Sequence, residues 1–403
     1  MGGNWRYESD SGRSSAYASL RTNVSRQRTS FRCYRLPLRG RAFLSHAEML
    51  DYLERFTDRF GLRPHIRFRT EVTEVRADVG GWVLTAGRGD TIRFEAVVVA
   101  TGYNSVPRYP DLPGTFDGLE LHSHAYRTPA PFEGKRVVVI GLGCSATELA
   151  CEIATVARSV TIATRSSRNV LVRRLGPIPL DWADTRAGSL IPWRWRRHLF
   201  HALIRMATGS QTKAGLPTPP KRLGDDPLSV SDGLLAAVRS KQVQLAPAAT
   251  ARLGDRVRFS DGSEQAADAI LYGTGYRTEF LFLSPELQHP TYTCAPLYRG
   301  IVSLAAPNLF YAGLAHAHGA LIPVFEAQAN WIGDVLAGRL SLPATEVMSE
   351  SVTHDESIRV RDFDPRHGIL WDRLRYVRAL EAESRHARRR PGVSRRAAAP
   401  TVT

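Results

Sequence analysis

Cysteine is scarce, with four residues at positions 33, 144, 151 and 294 of 403. No two of them form a CxxC pair, so neither a dithiol couple nor a zinc ribbon is encoded. Cys144 and Cys151 share one face of a helix and read as buried thiols. Nothing points to an oxidising compartment, and the expected location is cytoplasmic. Long apolar runs are missing too. None reaches the length of a membrane span, and the polar, arginine-rich start is no secretory signal. Acid is in deficit, with 39 Asp and Glu against 54 Lys and Arg, a net charge of +15. Such an excess can mark a nucleic-acid binder. Here the arginines crowd 6–41, 194–205 and 385–396, without an RNA-binding aromatic pattern or a helix-turn-helix. No nucleic-acid partner is expected, and the charge reads as a basic surface able to steer anions. Metal ligands are also few. His122 and His124 alone make no site, and no metal is expected.

What is present is an α/β chain with 43% hydrophobic residues, long enough for two or three domains. Its organising stretch is 134–163. Val137 to Ile140 read as a strand buried on both faces. Gly141 and Gly143 form the turn, and Ala146, Leu149, Ala150, Ile153 and Ala157 recur at helical spacing. Val160 to Ala163 completes a βαβ unit. Gly141 permits the tight turn, Gly143 lets the backbone approach a pyrophosphate, and Ala146 allows close helix–strand packing. The phosphates would sit on the N–H groups of the helix start. At the end of the second strand, where NAD readers carry an acid, the chain reads Thr164-Arg165-Ser166. Arg165 suits a 2′-phosphate, so the nucleotide is read as NADP(H).

The remaining elements follow in order. A helix is expected from an N-cap at Ser45 to Phe60. Strands are expected at 66–68, 72–75, 82–85 and 91–94, as a β-meander, and at 96–99. That last strand runs into Thr101-Gly102-Tyr103. Residues 176–230 form an irregular insertion. Its segment 193–206 is a basic amphipathic helix, read as solvated rather than as a lid or membrane patch. A buried strand, 269–272, ends in Thr274-Gly275-Tyr276. The repeated Thr-Gly-Tyr marks two crossings between domains. A helix from about 323 to 336 and a disordered basic tail, 385–403, close the chain.

At this point the residues resemble the flavin-containing monooxygenases. Phe116-Asp117-Gly118-Leu119-Glu120-Leu121-His122-Ser123-His124-Ala125-Tyr126 is similar to the family's FxGxxxHxxxY motif. Baeyer–Villiger monooxygenases end a similar motif in tryptophan, so Tyr126 counts against that alternative. Leu20-Arg21-Thr22-Asn23-Val24-Ser25-Arg26 is similar to the flavin-side loop, and 307–331 matches a later stretch.

The resemblance implies two Rossmann-like dinucleotide-binding domains. Residues 1–128 and 268–384 would be the FAD domain, and 129–267 the NADP domain with the insertion inside it. It implies FAD and NADP(H) as cofactors and O2 and a small molecule as substrates. A C4a-hydroperoxyflavin would oxygenate a soft nitrogen or sulfur. Asn23 would be the catalytic residue, its amide bridging flavin and nicotinamide. Cofactor contacts would come from Gly2, Gly3, Asn4, Trp5, Thr22, Asn23, Val24, Val72, Thr101 and Gly102. Others would come from Gly141, Gly143, Ser145, Ala146, Thr147, Glu148, Arg165, Thr274, Gly275, Gly313 and Gln328. His122 would be structural, holding the interdomain linker.

One departure is large. The family's first βαβ unit, with its own GxGxxG for FAD, has no counterpart, and the chain opens at Gly2-Gly3-Asn4-Trp5. The FAD domain is therefore expected to lack its first βαβ unit, to expose neighbouring apolar faces and to hold FAD weakly. Either the natural start lies upstream, or the chain is a flavin-free NADP-binding remnant. A smaller departure is Cys33, where relatives carry aspartate. The sequence names neither the substrate nor the oligomeric state.

Overall fold

The computed structural model describes residues 1–8, 11–37, 39–183, 191–225, 228–287, 296–306, 308–363 and 369–389. Cys294, Pro307 and the tail from 390 lie outside them. Helix α1 (His46–Arg59) begins at a capping box, in which Ser45 accepts from the Glu48 N–H and Glu48 accepts from the Ser45 N–H. The turn Gly3–Trp5 lies against this helix, with Trp5 packed on the cluster of Leu44, Met49 and Tyr52.

Three strands form the meander: β1 (Val72–Asp78), β2 (Gly81–Ala86) and β3 (Asp90–Phe94), antiparallel in that order. The fourth strand expected, 66–68, is a turn. A 3-10 turn at Arg63–His65 precedes it, and Arg69 takes a left-handed φ of 54°. Ile66 is extended, but no strand pairs with it among the described residues, the chain turns at 68–69, and Phe68 stays 48% exposed. Strand β4 (Val97–Val99) pairs in parallel with one strand from late in the chain. It lies at the edge of its sheet, and Val98 is 40% exposed. Among the described residues no βαβ unit adjoins it.

The nucleotide sheet is all parallel. It comprises β5 (Leu119–His122), β6 (Arg136–Ile140) and β7 (Ser159–Ala163), with β8 (Val243–Ala246) and β9 (Ala269–Tyr272). Their order is β8-β7-β6-β9-β5. Between β6 and β7 runs α2 (Cys144–Ile153). It ends four residues before Ala157, which lies in the turns that follow. Val137, Val138 and Val139 are fully buried because the sheet is covered on both faces, as an unbroken apolar run requires. In the insertion, α3 (Trp193–Thr208) is pinned by Arg196 to Asp372 and by Arg197 to Asp225, while Trp195 stays 72% exposed.

The later part of the chain supplies β10 (Leu297–Tyr298), β11 (Val302–Ser303) and β12 (Leu309–Tyr311), which lead onto β4. Helices α4 (Ile322–Leu336), α5 (Thr345–Asp362) and α6 (Arg373–Arg389) cover it. Helix α6 continues past the expected boundary at Ser384. Arg385 pairs with Glu381, and Arg388 with the buried Asp334, so the first residues assigned to a disordered tail are helical.

Close packing fixes the crossing at the end of β9. A Cβ placed on Gly273 would lie 2.5 Å from the Ala146 Cβ and 2.9 Å from its Cα. Gly273→Ala should push β9 off α2 and cost about 1–3 kcal/mol, as overpacking does. Thermal unfolding of the variant checks this, and an unchanged midpoint would refute the tight contact.

Candidate functional site

The turn between β6 and α2 is shaped by what it must pass. Gly141 has a φ of +119°, and a Cβ there would lie 2.5 Å from the Gly273 carbonyl oxygen. Gly143 faces open space within 4 Å of where its Cβ would be. It stands at the N-cap of α2 with no side chain capping the helix. Uncapped N–H donors beside an open approach suit a phosphate. Ser145 is exposed there, whereas Ala146 and Thr147 are fully buried. Thr147 turns its hydroxyl back onto the Cys144 carbonyl, 3.0 Å away. Arg165 is exposed just past β7 and makes no hydrogen bond or ion pair with the described residues. A dinucleotide carrying a 2′-phosphate fits this set. Burial pushes the Cys144 and Cys151 thiols up, which keeps them protonated beside the turn.

The loop 14–25 runs along α2 and is bonded to it. Tyr17 donates to Glu148 at 2.9 Å and Ser19 to Glu152 at 2.8 Å. Burial pushes the Tyr17 phenol far up, so it stays a donor. Arg173, 11% exposed, completes the link. It donates to the Asn23 Oδ1 at 2.8 Å, forms a close ion pair with Glu148 and reaches Asp232 at 3.2 Å. Asn23 is exposed, and its carboxamide is aimed by this arginine. Thr22 is buried and works as a latch, donating to the Val24 carbonyl and accepting from the Leu44 N–H. The site residues Asn23, Glu148, Gly141, Gly143 and Ser145 thus share one region around α2.

The others lie elsewhere. Gly2, Gly3, Asn4 and Trp5 sit at α1, Val72 begins β1, and Thr101 with Gly102 follow β4. Gly313, with φ +91°, donates its N–H to Gln328 at 2.9 Å. Gln328 is fully buried and donates in turn to the Tyr376 hydroxyl, so it orients the Gly313 turn. Among the described residues no second strand, glycine turn and helix follow the pattern of β6 and α2. A flavin pyrophosphate has no equivalent seat among them.

At the Thr-Gly-Tyr crossing, Thr274 and Arg108 bond each other's backbone. His122 is 2% exposed, accepts from the His124 N–H through Nδ1 and donates from Nε2 to the Gly275 carbonyl, both at 3.1 Å. This arrangement needs a neutral imidazole.

Sequence reasoning missed Arg173. It lies 150 residues from Asn23 in a segment without periodicity, and no local signal marks it.

A family model described as flavin-binding monooxygenase-like matches residues 1–392, and the chain belongs to that family. Flavin-containing monooxygenase 5 of Oryctolagus cuniculus is 30% identical over 416 positions, covering 94% of this chain and 75% of its own. The structure of S-allyl-L-cysteine S-oxygenase from Allium sativum matches with a TM-score of 0.66 at 27% identity. That match covers 92% of this chain and 74% of the other. Cyclohexanone monooxygenase from Rhodococcus sp. Phi1, solved bound to NADP+, gives 0.67 at 19% identity, covering 96% and 91%, which shows a shared fold. The family's members are flavin-dependent oxidoreductases that use FAD and NADPH, and this chain is an enzyme of that class. No helix among the described residues is long and apolar enough to cross a membrane.

The linker histidine yields a pH prediction. Burial holds the His122 pKa down to about 4, partly offset by its bond to Gly275. Unfolded histidine titrates near 6.5, so between these values the unfolded chain binds the extra proton. The contribution is fully present above about pH 6.5 and is lost as pH falls toward about 4, up to about 3 kcal/mol. Urea unfolding from pH 7 to 4 should show a shallower stability slope for His122→Asn than for the wild type. Equal slopes would contradict the buried neutral state.

Proposed function

We propose that the protein is an NADPH- and FAD-dependent monooxygenase that places one oxygen atom of O2 on a soft nitrogen or sulfur of a small molecule. The observation that carries this reading is the position of Asn23, exposed beside α2 and held by Arg173. When bound, the flavin supplies the oxygen activation and NADPH the reducing hydride.

The protein's own residues bind and orient. Gly141, Gly143 and Ser145 would hold the NADP pyrophosphate, Arg165 its 2′-phosphate, and Asn23 would donate and accept between the two redox rings. Gly313 and the Thr101-Gly102 turn are candidate flavin contacts, with Gly313 oriented by Gln328. Residues 129–267 act as the NADP domain and the flanking segments as the flavin domain. The scarcity of cysteine supports a cytoplasmic setting.

The test uses the protein supplied with excess FAD, NADPH and a thioether or tertiary amine under 18O2. One labelled oxygen per product is expected, and no label in product would refute the assignment. In the same assay Arg165→Ala should weaken NADPH about 10- to 100-fold while leaving NADH nearly unchanged, as loss of a charge-assisted contact requires. Equal losses for both nucleotides would remove Arg165 from the 2′-phosphate site.

A further inference from the structure

Beside the loop that carries Asn23 lies a cavity of about 370 Å³ lined by Arg21, Arg41, Phe43, Arg173, Arg174 and Asp232. The size suits a small ligand. The lining is unusual in charge, with four guanidiniums and one carboxylate. Arg173 is neutralised by its pairs with Glu148 and Asp232. Arg41 also feels the Glu48 carboxylate, whose pKa it helps hold down, and Arg41 and Arg174 are exposed. Among the described residues the guanidiniums of Arg21 and Arg41 make no hydrogen bond or ion pair. Arg174 stacks over the Phe43 ring, 5.3 Å from its centroid, and meets no carboxylate among the described residues. Arg21, Arg41 and Arg174 turn an excess of positive charge toward one space, which draws an anion into it. The buried ring of Phe43 gives the same space an apolar wall.

The cavity also has a direction. Arg173 lines it and donates to Asn23 at 2.8 Å, so one side abuts the residue proposed to meet the redox rings. The nucleotide's phosphates have seats elsewhere. Gly141, Gly143, Ser145 and Arg165 do not line the cavity. An anion here belongs with the molecule that is oxygenated.

We propose that this cavity is a carboxylate-recognition subsite, and that the substrate is a small thioether or amine bearing a carboxylate a few bonds from the reacting sulfur or nitrogen. The substrate class rests on the monooxygenase reading. The anion subsite rests on the arginines alone. Arg21, Arg41 and Arg174 hold the carboxylate through charge-assisted, forked contacts. Phe43 packs the intervening methylenes, and the soft atom is directed toward Asn23.

The experiment compares 3-(methylthio)propanoate with its uncharged amide on the FAD-loaded protein. Each is titrated calorimetrically, and kcat and KM are measured with NADPH in excess. The acid should bind and be turned over at least about ten-fold more efficiently than the amide, with the difference in KM. The Arg21→Gln/Arg41→Gln double variant should erase that preference while leaving the amide's constants and the KM for NADPH unchanged. Arg41→Lys restored beside Arg21 should recover part of it. Equal binding of acid and amide by the wild type would overturn the proposal. So would a double variant that loses NADPH affinity while keeping the acid preference, since the arginines would then serve the nucleotide. If neither compound is oxygenated, the monooxygenase reading fails, and the calorimetric arm still decides the subsite. Acid binding abolished in the double variant supports it, and no acid binding by the wild type refutes it.

Discussion

The side chain of Arg173 is the constraint on which the site depends. One largely buried guanidinium meets Glu148 on α2, Asp232 just past the insertion and the amide oxygen of Asn23. The cation stays in place because leaving Glu148, only 16% exposed, unpaired would cost several kcal/mol, whereas the half-exposed Asp232 adds less. Glu148 is in turn fixed by the hydroxyl of Tyr17. Three separate segments of sequence are thereby tied to the helix whose N-terminus suits a dinucleotide phosphate. An arginine suits the task better than a lysine, since its planar fork serves several acceptors in fixed directions.

This network also links parts of the molecule that packing alone would not relate. The loop that carries Asn23 is latched to α1 through Thr22 and Leu44, and through Ser25 to Asp181 in the insertion. The insertion therefore serves as more than a basic surface, since Asp181 within it and Arg173 on its flank reach the loop, the latter also paired with Asp232. Helix α3 keeps an exposed tryptophan yet is anchored by Arg196 and Arg197, so its position is set by ion pairs and a modest apolar cluster.

The nucleotide unit was legible in the sequence because its signal is local. Val137 to Ile140, Gly141, Gly143 and Ala146 each have a conformation set by immediate neighbours, and the structure has the buried strand, the tight turn and the close helix packing that those residues predict. The capping box at Ser45 was partly legible for the same reason. Ile66 to Phe68 were misread because apolar side chains can lie exposed on a turn, which a count of hydrophobic residues does not register. The end of α6 was misread because its basic residues suggested disorder, whereas Arg388 is held by an aspartate on α4. Asn23 was found through resemblance, but Arg173, Gln328 bonded to Gly313, and the ring of arginines at Arg21, Arg41 and Arg174 depend on contacts across long stretches of chain. No spacing rule carries such contacts.

The central claim is that Arg173 positions Asn23 for oxygen transfer. Its most direct test is the yield of oxygenated product per NADPH consumed, measured for the wild type, Arg173→Lys and Arg173→Met. The account predicts that Arg173→Met still binds NADPH while this yield falls by about ten-fold or more, as misplacing a reactive constellation by an ångström can do. Arg173→Lys should fall between the two. An undiminished yield in a folded Arg173→Met protein would contradict the account.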